Sequence, residues 1–181
     1  PIACDLLDSV SLARLSGLVT HQLNGGKHLD LVVTAQASGG RFGALPLLEM
    51  NDEELARVLA TYAHGTWNLL RAIGPTLVAQ GHGTFVQIGT SSGTRTKPGF
   101  AALGASQFAL RALVQVAAKE WRPLGVHVAY VPIDGPIESA ASLANRGGDR
   151  SKLIPPSEIA RACEYVHRQS PGAWTHELVL R

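Results

Sequence analysis

The sequence predicts a doubly wound α/β fold, a parallel sheet packed between two layers of helices, and three observations predict it. Strand-like and helix-like segments alternate as β-α-β-α-β-α-β-α-β with short links, an order that favours parallel pairing through crossover helices. Residues 29–34 and 126–131 are predominantly apolar rather than alternating, as strands buried on both faces are. A hydroxyl-rich loop, residues 89–96, leaves the carboxyl end of a strand, where open sheets of this kind hold their ligands.

Size and composition agree with this. At 181 residues, 45% hydrophobic and 17% charged, the chain suits one globular domain over residues 1–181. A net charge of +2 with scattered arginines excludes a nucleic-acid surface. No uncharged apolar run reaches the roughly 18 residues of a membrane span, and no signal pattern opens the chain, so the expected location is cytoplasmic. Cys4 and Cys163 are too isolated for a disulfide framework, and the seven histidines lack metal-ligand spacing, so no metal is expected.

In chain order, residues 1–4 read as the end of a strand, so the fold starts in mid-strand and its first β-α-β unit is expected upstream. Asp8 caps a helix to about Leu23, with Leu12, Leu15, Val19 and Leu23 inward and Asn24-Gly25-Gly26 as its stop. After the strand at 29–34 comes a Gly-rich loop to Met50. Asn51 and Glu54 form a capping pair for a long helix with Leu55, Leu59, Tyr62, Thr66, Leu69, Ile73 and Leu77 along its inner face, bent at Gly74-Pro75. A strand with Phe85, Val86 and Ile88 leads to the hydroxyl loop. The next helix opens near Gly99, with Leu103, Gln107, Leu110, Val114, Ala117 and Trp121 on one face and Ala105, Ala109, Ala112 and Val116 on another. Residues 134–150 are polar and Gly-containing, the segment best suited to a mobile lid. Pro155-Pro156-Ser157 starts a helix to about Arg168, and residues 177–180 form a last strand.

Taken together, these segments resemble the short-chain dehydrogenase/reductase family from its third strand onward. Ala3-Cys4-Asp5-Leu6 resembles the strand end whose Asp contacts adenine. Residues 29–35 resemble the strand entering the family's NNAG motif, and Gly83-Thr84-Phe85-Val86 the strand that delivers its catalytic Ser. Ala105-Ser106 and Ala109-Leu110 match the small residues around its YxxxK helix, and residues 126–137 its last strand and nicotinamide loop. The ending Ala173-Trp174-Thr175-His176-Glu177-Leu178 resembles that of a divergent subgroup. The resemblance implies a Rossmann-like three-layer αβα fold, NAD or NADP as cofactor, and a small carbonyl or alcohol substrate. It also implies a homodimer or homotetramer, built on the two long helices at 52–79 and 99–121, with a second contact near 174–180.

The departures bear on chemistry. The family's Ser, Tyr and Lys fall on Thr90, Leu103 and Gln107, its Asn on Tyr62, and NNAG becomes Thr34-Ala35-Gln36-Ala37. Leu103 cannot move a proton, and Gln107 carries no charge to tune a neighbour. The Gly-rich phosphate fingerprint is absent; Gly39-Gly40 with Gly43, and Gly147-Gly148, lack its spacing. The resemblance places catalytic or orienting roles on Thr90, Ser91, Gln107 and Tyr62. It places cofactor contacts on Asp5, Leu6, Thr34, Ala35, Gln107, Asp134, Gly135 and Ile137. Each has a plainer reading: Asp5 as a turn residue, Tyr62 as a core tyrosine, Thr90, Ser91 and Ser92 as satisfiers of loop backbone, Asp134-Gly135 as a turn. Two functions therefore stand, a divergent oxidoreductase and a catalytically silent binding or assembly subunit. A third comes from Gly89-Thr90-Ser91-Ser92-Gly93, which is literally GxSxG, with Asp134 and His167 or His176 following in serine-hydrolase order.

Overall fold

The computed structural model describes residues 3–37 and 45–181. Gly39, Gly40 and Gly43 lie outside the described residues. Helix α1, Ser9–Asn24, opens at Asp8, whose carboxylate accepts from the backbone N–H groups of Val10 and Ser11. It closes at Gly25-Gly26, the second glycine in the left-handed region at φ 79°. Strand β1 is Leu31–Thr34 and helix α2 is Asp52–Leu59. Asn51 caps α2 by accepting from the Glu54 N–H at 2.8 Å, but the reciprocal half of the capping pair does not form, because the Glu54 carboxylate turns to Arg57.

A π-helical turn, Ala60–His64, joins α2 to α3, Gly65–Gln80. The irregularity expected at Gly74-Pro75 thus falls earlier, and α3 runs through both residues. Gly74 is required for another reason, since a Cβ there would press into the Trp121 ring. The wider π-turn also shifts the inner stripe. Val58 is buried at 2% exposure, whereas Leu55 and Leu59 are only partly covered, and from Tyr62 to Leu77 the expected stripe holds.

Strands β2, Thr84–Thr90, and β3, His127–Ile133, flank α4, Ala101–Trp121. The sheet runs β1-β2-β3, all parallel, with Leu31 opposite Thr84 and Thr84 opposite His127. On one face Phe85, Val128 and Tyr130 pack against Val58, Leu69, Ile73, Leu77, Leu110 and Val114 of the helical layer. On the other, Val86, Ala129, Val131 and Ile133 pack against Cys163 and Val166 of α6, Pro156–His167. The result is the three-layer arrangement expected. Helix α4 with its following turn, Ala101–Leu124, is long and apolar enough to cross a membrane by length and composition. Its Leu110 and Val114, fully buried against the sheet, account for that hydropathy.

Two expectations change. β1 is not buried on both faces: Leu31 and Val33 remain 36% and 46% exposed, because α6 covers only the β2–β3 side. Residues 3–5 form no strand; instead Asp5 Oδ1 accepts from the Leu7 N–H in a turn. The 134–150 segment, expected as a mobile lid, carries local structure of its own. Ile137 bridges Ile154, and a Ser139–Ser142 capping box starts the short helix α5, Ala140–Ala144.

The C-terminal segment pairs with β3 at two bridges, Tyr130 with Glu177 and Ile133 with Leu180, short of a continuous strand. Arg111 of α4 fastens it, donating from Nε and Nη2 to the two Glu177 oxygens at 2.8 and 2.9 Å, while Gln115 adds a third bond. Beneath the exit of β2, the buried Tyr130 ring occupies the space a side chain at Gly89 or Gly93 would need. Its hydroxyl donates to the Thr90 carbonyl at 3.2 Å. Burial pushes its pKa up to about 12.

Gly89→Ala should therefore cost about 1–3 kcal/mol of overpacking, and less in a Tyr130→Leu background, as read from urea unfolding. The bonds from Arg111 hold the Glu177 carboxyl below its ordinary range. Stability from such a depressed group is complete above its unfolded value near ~4.3 and is lost as pH falls through the folded one. Glu177→Gln should cost about 1 kcal/mol at pH 7, and the gap to wild type should close in melts at acid pH.

Candidate functional site

The carboxyl ends of the strands open onto a cavity of about 650 Å³. Its lining brings together most of the residues singled out from sequence: Ala35 after β1, Tyr62 from the π-turn, Thr90 and Ser91 at the end of β2, Gln107 of α4, and Asp134, Gly135 and Ile137 after β3. Asp5 and Leu6 do not reach it. They line an adjoining groove of about 810 Å³. Gln36 and Ala37 belong to the walls of both spaces, so the two adjoin. Thr34 faces inward instead, its hydroxyl donating to Gln36 Oε1 at 2.7 Å.

Thr90 is fixed from three sides. Its N–H donates to Gln107 Oε1 at 3.1 Å, its carbonyl accepts from Tyr130, and its Oγ1 accepts from the Ser92 N–H. These bonds leave the Thr90 hydroxyl proton for a ligand. Gln107 is 1% exposed yet lines the cavity. Its Oε1 is committed to Thr90, whereas its amide nitrogen makes no protein bond among the described residues and opens onto the cavity. Leu103 presents an apolar side chain one helical turn earlier on the same wall.

Across the cavity, Arg95 Nη2 donates to both oxygens of Asp134, at 2.7 and 2.8 Å. With the Ser91 hydroxyl and the nearby Arg181, it holds the Asp134 carboxyl below the usual range. Lys97, Phe100 and Arg146 complete the rim.

The GxSxG pattern has a packing origin. Its two glycines accommodate the Tyr130 ring, and no histidine reaches Ser91. His167 Nδ1 bonds Thr84 Oγ1 at the opposite end of β2, about 20 Å away along the strand. His176 Nδ1 bonds the Val128 carbonyl. A hydrolase triad is not assembled. Among the described residues no group of three or more His, Cys, Asp or Glu is placed to hold a metal ion.

Sequence reasoning missed the polar network under the cavity floor. Gln36 Nε2 donates to Thr66 Oγ1, Gln87 Nε2 donates to Gln36 Oε1 and the Ile88 carbonyl, and Thr66 Oγ1 donates to Gln87 Oε1. Gln87 is fully buried. The available signal was a lone amide in the apolar run Phe85-Val86-Gln87-Ile88, which has to find partners inside. The rim cations Arg95, Lys97 and Arg146 were missed too, because nothing in their spacing places them around one space.

A family model described as Enoyl-(Acyl carrier protein) reductase matches residues 2–161. An uncharacterized NAD-dependent oxidoreductase of Mycobacterium tuberculosis is 34% identical over 125 residues, 68% of this chain and 43% of that protein. A short-chain dehydrogenase/reductase of Armillaria gallica is 31% identical over 141 residues, 76% of this chain and 51% of that one. The crystal structure of a metagenomic short-chain oxidoreductase in complex with NADP superposes with a TM-score of 0.75 at 26% identity, covering 99% of this chain and 72% of that chain. The chain thus spans about half the length of the curated relatives it matches. Matched over most of its residues in sequence and fold, with the ligand depression at the same strand ends that carry the resemblance, the chain belongs to the short-chain dehydrogenase/reductase family.

Proposed function

We propose that the protein is a divergent NAD(P)-dependent oxidoreductase acting on a small carbonyl or alcohol compound. One observation carries this reading. Thr90, Ser91, Gln107, Asp134, Gly135 and Ile137 line a single cavity, and Gln36 and Ala37 in its wall also line the adjoining groove at Asp5 and Leu6. Such a pair of adjoining spaces fits a long two-headed ligand, and the names of the relatives support NAD or NADP. The nicotinamide would supply or take up the hydride. In this reading the Thr90 hydroxyl orients the substrate oxygen, and the Gln107 amide nitrogen donates to a ribose hydroxyl. Asp134, Gly135 and Ile137 border the nicotinamide, and Asp5, with one carboxylate oxygen already accepting from Leu7, offers the other to the adenine amine.

A second reading has its own support. The wall where proton transfer is expected carries Leu103 and a neutral Gln107, which favours a silent subunit that binds without turnover. Tyr62 is the phenol that remains in the lining. We further propose that the chain folds as one cytoplasmic domain and self-associates as a dimer or tetramer. Trp67 of α3 and Phe108 and Val116 of α4 are each about half exposed on the helical layer, which supports an interface there.

A thermal-shift titration with NAD⁺, NADP⁺ and their reduced forms should raise the melting temperature with at least one of them. Absence of any shift would remove the cofactor assignment. Leu103→Tyr combined with Gln107→Lys should raise hydride transfer over wild type by on the order of 10²-fold. A wild-type turnover that Tyr62→Phe and Thr90→Val leave unchanged would overturn the site map. Light scattering at micromolar concentration should report a mass above the monomer.

A further inference from the structure

The cavity rim carries three cations and one carboxylate, an imbalance that nicotinamide or a neutral carbonyl compound does not use. Arg95 is held in place by Asp134, but only its Nη2 is engaged, so Nε and Nη1 keep their hydrogens for another acceptor. Asp134 is itself shared with Arg181 at 3.3 Å. Lys97 rests its ammonium 4.2 Å over the Phe100 ring and makes no ion pair among the described residues. Arg146 has no carboxylate within ion-pair distance among the described residues; Asp149, three residues on, feels its charge but is bonded to Ser151 and Lys152. The rest of the lining is largely apolar, with Ile88, Phe100, Leu103, Ile133 and Ile137.

An arginine fixed by a carboxylate at the rim of a partly apolar cavity, with donors left over, is built to take the oxygens of an acid. We infer that the substrate of this site is an anion, an oxo- or hydroxy-acid whose carboxylate is bound by Arg95, assisted by Lys97 and Arg146, and whose chain lies on the apolar wall. This rests on the oxidoreductase reading for the carbonyl or hydroxyl, but the acid preference is a property of the rim alone. The phosphates of a nucleotide are the other anions that could meet these cations, and the test separates the two.

The chain is titrated calorimetrically with 2-oxohexanoate and with its methyl ester, with and without saturating NADP⁺. The acid should bind at least tenfold more tightly than the ester in both conditions, and more weakly as salt is raised. Arg95→Gln should erase most of that preference while leaving the ester unaffected, and Arg95→Lys should restore part of it. Lys97→Gln and Arg146→Gln, exposed positions remote from the core, should each reduce the preference severalfold, which protects the test against a misfolded Arg95 variant. Equal affinity for acid and ester, or an acid preference indifferent to all three cations, would overturn the inference. So would a preference that vanishes once NADP⁺ is bound, since the cations would then serve the nucleotide. An Arg95-dependent acid preference in a protein that binds no nicotinamide nucleotide would uphold the anion site and refute the oxidoreductase reading instead.

Discussion

Tyr130 stands under the turn that leaves β2, and the position of nearly every cavity residue follows from how that turn is held. The ring fills the space beside Gly89 and Gly93, so neither position tolerates a side chain. Its hydroxyl takes the Thr90 carbonyl, and Gln107 Oε1 takes the Thr90 N–H. A residue at the mouth of a strand would otherwise leave both groups to water; here they are satisfied by two different elements, β3 and α4. That double attachment fixes the Thr90 hydroxyl toward the cavity. It also sets where Ser91 and Arg95 meet Asp134, because the 3₁₀ turn at Ser91–Gly93 starts from the same anchor.

This scaffold separates geometry from reactivity. Gln107 keeps a hydrogen-bonding head at the place where the family's charged residue is expected, and it spends one end on the protein frame while the other faces the cavity. A neutral amide can position a ligand hydroxyl, but it exerts little field on a nearby titrating group. Leu103, where the resemblance places a proton donor, presents apolar surface instead. That wall can therefore hydrogen-bond a ligand through Gln107 but offers no titrating group from Leu103 or Gln107, so binding and turnover are separate questions for this protein. Tyr130 does not bridge that gap: it is sealed from the cavity, and its high pKa is the consequence of burial.

Much of the fold was legible because its signals are local. Asp8 and Asn51 cap where a side-chain acceptor precedes an apolar stripe, and strands β2 and β3 read as buried because apolar residues dominate both faces, Gln87 and His127 apart. The same logic failed at β1, since Leu31 and Val33 look like core residues whether or not a neighbour covers them. It failed again at Ala60–His64, where no Gly or Pro marks the π-turn. Cavity residues on one element, such as Thr90 and Ser91 or Asp134 and Gly135, were found by their place at strand ends. Arg95 and Arg146 could not be, for they meet only after two distant loops fold over the same opening.

The unread residues are the ones that give this site its electrical character. Family positions account for the floor and the helix wall, whereas the charged rim comes from the loop between β2 and α4 and from the segment after β3. Loops of this kind can change composition without disturbing the core, because their backbone is already satisfied by local turns such as the Ser139–Ser142 box. Asp134 has the constraining part here: it orients Arg95 without neutralising the whole rim, as a lone guanidinium at 62% exposure would otherwise sample many rotamers. A held cation loses less conformational freedom on meeting a ligand than a free one does. The charged rim is thus built on the same strand ends as the rest of the cavity, but by residues that the fold itself does not require.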